Sequence, residues 1–110
     1  MVAKAQFDTL RSLGFGSISG TYAAVGAALT QPPRIIAFTN QTNGDMIFSY
    51  DNTLSAGQIF LAAGNAMILD LNANMIPGKD DSFELPAGIT FYVKQSTAPS
   101  SGSVYISIVY

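Results

Sequence analysis

The sequence offers few residues able to do covalent chemistry. It contains no histidine and no cysteine. That removes the commonest general base, the Ser-His-Asp triad, thiolate nucleophiles, disulfides and the ordinary zinc site together. A nucleophile would then have to be a serine activated by lysine, or one of a pair of carboxylates. Lys94 and Ser96 stand close in sequence, but Lys94 falls on the mixed side of an alternating segment, where a solvated ammonium is the expected state. Asp80 and Asp81 are adjacent, and neighbouring strand positions point to opposite faces, so they do not form the facing pair that acid-base hydrolysis requires. With Ser82 and Glu84 they make an acidic cluster rich in oxygen ligands. It lacks the glycine-spaced loop of a calcium site and reads as a solvated turn. Gly14, Gly16 and Gly20 have the wrong spacing for a dinucleotide-binding loop, and no helix follows them. The expectation is a protein that is not an enzyme, with no cofactor and no bound metal.

Charge narrows the partners. The five basic residues, Lys4, Arg11, Arg34, Lys79 and Lys94, are scattered along a chain of net charge -2. Phosphate backbones are bound by clustered positive charge, so direct nucleic-acid binding is not expected. Charged residues make up 11% of the chain against 48% hydrophobic ones, less than half the usual charged share. A surface made largely of Ser, Thr, Asn, Gly and Ala repels neighbours poorly, which suits either a packed subunit or a neutral monomer. No apolar run approaches a membrane span, and the N-terminal Met-Val-Ala-Lys-Ala-Gln lacks a signal-peptide core. No membrane partner is expected, and synthesis in a cytoplasm is the default.

The elements that would position any site are strands. At 110 residues the chain is expected to be one domain, residues 1–110, with its own core. Its best-specified stretch is Arg34 to Asp51, where Arg34–Thr39 and Met46–Tyr50 flank a connection containing Asn43-Gly44. That pair suits the positive φ angles of a tight turn and predicts a β-hairpin. Residues 1–13 place Phe7, Leu10 and Leu13 three apart, which fits one or two helical turns or an extended arm ordered by a partner. Gly14 to Gly26 reads as two short strands or one bent strand. Further strands are expected at Gln58–Ala62, Ala66–Leu71 and Ser82–Leu85, with a helix through Met75 as the competing reading of the second. The strands at Ile89–Lys94 and Val104–Val109 show the cleanest alternation. Roughly seven to nine strands with turns every eight to twelve residues predict an all-β antiparallel sandwich, jelly roll or immunoglobulin-like.

Five tyrosines and no tryptophan remain. A tyrosine packs well on any half-buried pleat, but Tyr92 and Tyr105 each fall opposite a cleanly apolar strand face, so a second surface there is expected to be covered. Asn40-Gln41-Thr42 matches the glycosylation sequon and reads as part of the connecting loop.

Four stretches together resemble small virion structural proteins of tailed bacteriophages. They are F-D-T-L-R-S-L-G-F-G-S-I-S-G-T-Y from Phe7, R-I-I-A-F-T-N-Q-T-N-G-D-M-I-F-S-Y-D from Arg34, L-P-A-G-I-T-F-Y-V-K-Q from Leu85, and S-G-S-V-Y-I-S-I-V-Y from Ser101. The resemblance implies a β-sandwich that decorates or cements the capsid, or one at the head-to-tail junction, collar or fibre. It implies residence in the virion after synthesis in the host cytoplasm, homo-oligomers and contact with the major capsid protein, and it brings no active-site residues. Phe7, Leu10 and Arg11 of the arm, Asn43 at the loop tip, and Tyr92 and Tyr105 are the expected interface residues. The alternative is a carbohydrate- or receptor-binding module using tyrosines with the loops Asn40–Asp45 and Asp51–Ser55.

Overall fold

A segment whose large apolar residues recur at every second position buries one side as a strand, and the last strand does so. Val104, Ile106 and Ile108 are buried within Ser103–Val109, while Ser103, Tyr105, Ser107 and Val109 take the other side. This is seen in a computed structural model, which describes residues 6–50, 59–71 and 88–110. The expected turns at 51–57 and 77–81, the strand at 82–85 and the acidic cluster of Asp80, Asp81, Ser82 and Glu84 lie outside the described residues.

In chain order the strands are β1 (Arg11–Gly14), β2 (Ala23–Ala24), β3 (Ile35–Asn40), β4 (Met46–Ser49), β5 (Ile59–Leu61), β6 (Ala66–Asp70), β7 (Tyr92–Gln95) and β8 (Ser103–Val109). They form two antiparallel sheets ordered β1-β8-β3-β6 and β2-β7-β4-β5. The pairs β1 with β8, β2 with β7, β3 with β6 and β4 with β5 are nested, as in one long antiparallel ribbon whose successive rungs alternate between the sheets. That rolled ribbon is the jelly roll, one of the ways an antiparallel protein limits its exposed edges. It settles the choice left open by pattern against the immunoglobulin order.

The core lies between the sheets. Phe38 of β3 meets Phe48 of β4 with ring centroids 5.3 Å apart, and the ring of Phe91, just before β7, edge-on at 5.7 Å. Ile36, Ile106, Val93 and Met46 close around them without solvent contact. Aromatic pairs of this geometry add about 0.5–1.5 kcal/mol each beyond their burial.

The expected hairpin at Arg34–Asp51 is not formed. β3 and β4 both exist, but they belong to opposite sheets, and the hairpin of this region is instead β4 with β5, registered Met46 to Leu61 and Phe48 to Ile59. The reason is Asn40. Its side chain is fully buried at the end of β3, where Nδ2 donates to the carbonyls of Gly44 (2.9 Å) and Leu61 (3.0 Å). Oδ1 accepts from the Thr42 amide (3.0 Å) and hydroxyl (2.6 Å). The loop is thus folded around an internal amide and delivers the chain to the facing sheet. Gly44 is not in the positive-φ region; it is small because a Cβ there would strike the Thr97 carbonyl oxygen. The sequon asparagine is consumed by the same network.

From Gln6 onward the N-terminal segment is extended, not helical. Phe7 bridges Val109, Gln6 and Tyr110 exchange both backbone hydrogen bonds, and Arg11 to Gly14 pair with Ile106 to Ser103. Arg11 lies four positions beyond Phe7, whereas Ile106 lies only three before Val109. One extra residue is therefore accommodated around Thr9 and Leu10, a β-bulge. The bulge explains the spacing of three. Phe7 and Leu10 would point to opposite sides of a regular strand, but with one residue bulged they share a side, and Asp8 and Arg11 share the other. Beyond β1, the expected strand at Phe15 is a 3-10 turn over Phe15–Ser17, and the strand reading of Gly14 to Gly26 holds only at β2. β6 is a strand over Ala66–Asp70, as the alternation favours over a helix. The expected strand at Gln58–Ala62 appears as β5.

Candidate functional site

The outer side of the β1-β8-β3-β6 sheet is the surface that needs explaining. Cross-strand register lays three rows over it: Val109, Ile35 and Asp70; Ser107, Ala37 and Ile68; and Tyr105, Thr39 and Ala66. Ser12 extends the third row onto β1. Paired residues in an antiparallel bridge share a side, so Phe7 stands beside Val109. Leu10 lines a shallow depression of about 550 Å³ with Thr39, Gln41, Gly102, Ser103, Tyr105 and Ser107. Phe7 is 86% exposed, Ile68 71% and Leu10 55%. Three large apolar side chains thus project into solvent from one sheet face. Among the described residues its register rows carry a single charged side chain, Asp70 at one corner.

What holds the N-terminal strand in place is a clasp on the inner side. The Arg11 guanidinium is buried and spans several partners: Nε donates to the Ala27 carbonyl at 2.9 Å, one terminal nitrogen to Asp8 Oδ2 at 2.7 Å, the other to the Ala28 carbonyl at 3.4 Å. The Tyr110 hydroxyl donates to the same Asp8 oxygen at 2.6 Å. Gly26, at φ 74°, has no Cβ because the Arg11 side chain lies against it. The hydrogen bond from Tyr110, with those from Arg11 and the Thr9 amide, holds the Asp8 carboxyl down at about 2. The clasp therefore stays charged through the neutral and mildly acidic range.

The residues expected at an interface are distributed as follows. Phe7, Leu10 and Tyr105 are brought together on this face. Arg11 is turned inward, its guanidinium spent within the chain, which leaves it to secure the arm and not to meet a neighbour. Asn43 is exposed at the loop end of the sandwich, but its side chain is tied to the 96–102 loop: Oδ1 accepts from the Ser100 amide (2.7 Å) and Nδ2 bonds the Ser100 hydroxyl (2.7 Å). Tyr92 pairs with Ser49 and Ala24 in the other sheet, so Tyr92 and Tyr105 lie on opposite outer faces and do not form one surface. In the loop Asn40–Asp45, expected on the alternative reading to bind a sugar, Asp45 accepts from the Ala63 amide at 3.0 Å, Asn43 is tied to Ser100 and Asn40 and Thr42 are buried, while Gln41 is exposed and lines the depression. The Asp51–Ser55 loop lies outside the described residues.

Ile68 and the clasp were not anticipated. An isoleucine on the mixed side of an alternating strand was the available signal for the first. The second joins residues 102 positions apart, and no local pattern announces that. The Lys94 ammonium sits 4.8 Å from the Tyr22 ring centroid, a cation–π contact. Among the described residues no group of three or more His, Cys, Asp or Glu could hold a metal, and no helix is long and apolar enough to cross a membrane.

No protein family matches the chain, and no curated protein matches it in sequence. Among solved structures, a chain of the disulfide-linked pili formed by Bacillus endospore appendages aligns over 96% of this chain and 87% of its own. The identity is 15% and the TM-score 0.52. A chain of the Triatoma virus empty capsid aligns over 96% of this chain and 85% of its own at 10% identity and TM-score 0.38. One from the VLP of giant freshwater prawn Macrobrachium rosenbergii extra small virus aligns over 99% and 79% at 8% identity and TM-score 0.43. At such identities the pilus chain speaks for the fold alone, and the two viral chains add nothing to it.

Proposed function

We propose that this chain is a non-enzymatic structural subunit of a virion, which decorates or cements the head of a tailed phage by contact with other virion proteins, the major capsid protein foremost. The observation that carries the proposal is the outer sheet face with Phe7, Leu10 and Ile68 exposed around an uncharged floor. Burying such a side chain is worth about 1.5–3 kcal/mol, so a chain that leaves three on one face has a surface to cover. Jelly rolls serve in capsids and in lectins alike, and fold alone does not choose between them. The engagement of Asn40, Thr42, Asn43 and Asp45 within the chain weighs against the sugar-binding reading. The resemblance of the four sequence stretches to phage virion proteins supports a place in the virion. The pilus likeness accords with a jelly roll used as an assembly unit. A covalent link through disulfides is not open to these 110 residues, which contain no cysteine.

The test is retention on capsid shells from the same source. Phe7→Ala with Leu10→Ala is expected to weaken co-sedimentation with shells by about thirtyfold, the equivalent of about 2 kcal/mol at a contact hot spot. Stability of the free domain should shift by no more than about 0.5 kcal/mol, because both side chains are exposed. Unchanged retention would remove the face from the contact, and an unfolded double variant would show the two residues to be structural.

A further inference from the structure

We infer that residues 6–14 form a strap that opens and closes as a unit while the two sheets stay folded, with the clasp of Asp8, Arg11 and Tyr110 as its latch.

Burial holds the inner strands in place, whereas this one is held mostly by polar contacts. Of residues 6–14 only Arg11 is buried, and Leu13, half-buried, is the one apolar side chain packed against the core. β8, with which the strap pairs, buries Val104, Ile106 and Ile108. The strap lies at the end of its sheet, with a neighbouring strand on one edge alone, and the bulge interrupts that pairing midway. Segments with few buried apolar contacts open at a lower free energy than the core beside them.

The clasp can let go without stranding a charge. Arg11 and Asp8 are paired within the strap, so the ion pair travels with it. What ties them to the body is the Tyr110 hydroxyl at 2.6 Å and the Ala27 and Ala28 carbonyls at 2.9 and 3.4 Å. All three are neutral groups, and water replaces each bond once the strap lifts. A hinge follows directly. Gly14 and Gly16 flank Phe15, and neither has a positive φ. A Cβ at Gly14 would come no nearer than 3.9 Å to Ser103 Oγ, and one at Gly16 would meet nothing within 4 Å. The closed strap therefore requires neither glycine, whereas a hinge gains from both. The sandwich resumes at the buried Ile18 and at the Ser19 carbonyl, which accepts from the Gln95 amide at 2.8 Å.

Opening lifts Phe7 and Leu10 from the outer face and bares the edge of β8. On the reading of that face as a contact surface, the clasp sets how much of the time the ridge is in place; the opening itself stands without that reading.

The experiment is native-state hydrogen exchange of the free chain, followed amide by amide by NMR from zero to low urea, for the wild type, Tyr110→Phe and Phe48→Leu. The Asp8 amide, bonded to the Ile108 carbonyl, and the Tyr110 amide, bonded to the Gln6 carbonyl, report the strap. Ala37 and Phe38 of β3, a strand paired on both edges, report the sheets. In the wild type the strap amides should exchange at least about tenfold faster than those of β3, relative to their intrinsic rates, and stay insensitive to low urea, since opening exposes little surface. Tyr110→Phe should speed exchange at Asp8 about tenfold, through loss of one hydrogen bond to a charged group. Phe48→Leu, a core change in the facing sheet, should speed β3 and leave Asp8 as it was. Strap amides that follow β3 in urea and in Phe48→Leu would show that the strap leaves only when the sheets unfold, which overturns the inference. An Asp8 amide indifferent to Tyr110→Phe would overturn the clasp as its latch.

Discussion

Replacing Asn40 with alanine is expected to cost the domain about 3–5 kcal/mol, a large part of the about 5–15 kcal/mol that holds a domain of this size folded. The side chain is fully buried and makes four hydrogen bonds, two given and two received. Its removal leaves the Leu61 carbonyl and the Thr42 amide without those partners in the interior, at about 1–3 kcal/mol for each group that finds no substitute. The Gly44 carbonyl and the Thr42 hydroxyl still have each other at 2.9 Å, so the loss stays below a fourfold sum. Asn40→Asp is the informative companion. It keeps the acceptor for Thr42 but sets a carboxylate oxygen against two carbonyls, and should destabilise at least as much. Urea unfolding of the three proteins measures this as a fall in midpoint with little change in slope. A loss below about 1 kcal/mol for Asn40→Ala would mean that the crossing between sheets does not depend on this amide.

Gly102→Ala is expected to cost about 3 kcal/mol or more, from two sources that a control can separate. Gly102 sits at φ 89°, in the region that disfavours side chains, and a Cβ there would run into the Gln41 carbonyl oxygen. Gly64 sits at φ 77°, and a Cβ added there would meet nothing within 4 Å. Gly64→Ala should therefore lose only the backbone share, about 1–2 kcal/mol. The difference between the two midpoints reports how tightly the 96–102 loop is seated on the crossing loop. Equal losses would mean that the loops part readily.

These two residues mark where the sequence was legible and where it was not. The alternation at Val104, Ile106 and Ile108 identified the last strand, because a face buried along its whole length leaves a period-two record. Asn43-Gly44 suggested a hairpin because a dipeptide reports local backbone preference; it carries no information on which sheet receives the next strand. That decision rests on Asn40, whose partner Leu61 is 21 residues away. The exposed ridge was half legible. Phe7 and Leu10 stood out as apolar residues in a polar segment, but their spacing of three suited a helix as well as it suits a bulged strand. Arg11 was expected at an interface with the arm and is instead an inward anchor, since Gly26 and the Ala27 and Ala28 carbonyls that receive it are brought in by the fold. Tyr92 and Tyr105 shared a pattern without sharing a surface, because alternation gives the side of a strand and not the sheet to which it belongs.

On the proposed function, the outer face of the β1-β8-β3-β6 sheet is the one covered on assembly. Hydroxyl-radical labelling of side chains, compared between the free protein and the protein on capsid shells, tests it most directly. Phe7, Leu10, Ile68 and Tyr105 should lose most of their labelling on assembly, while Phe60, exposed on the opposite sheet, keeps its own. Protection of Phe60 and Tyr92 with Phe7 and Ile68 still labelled would contradict it and move the contact to the other side of the sandwich.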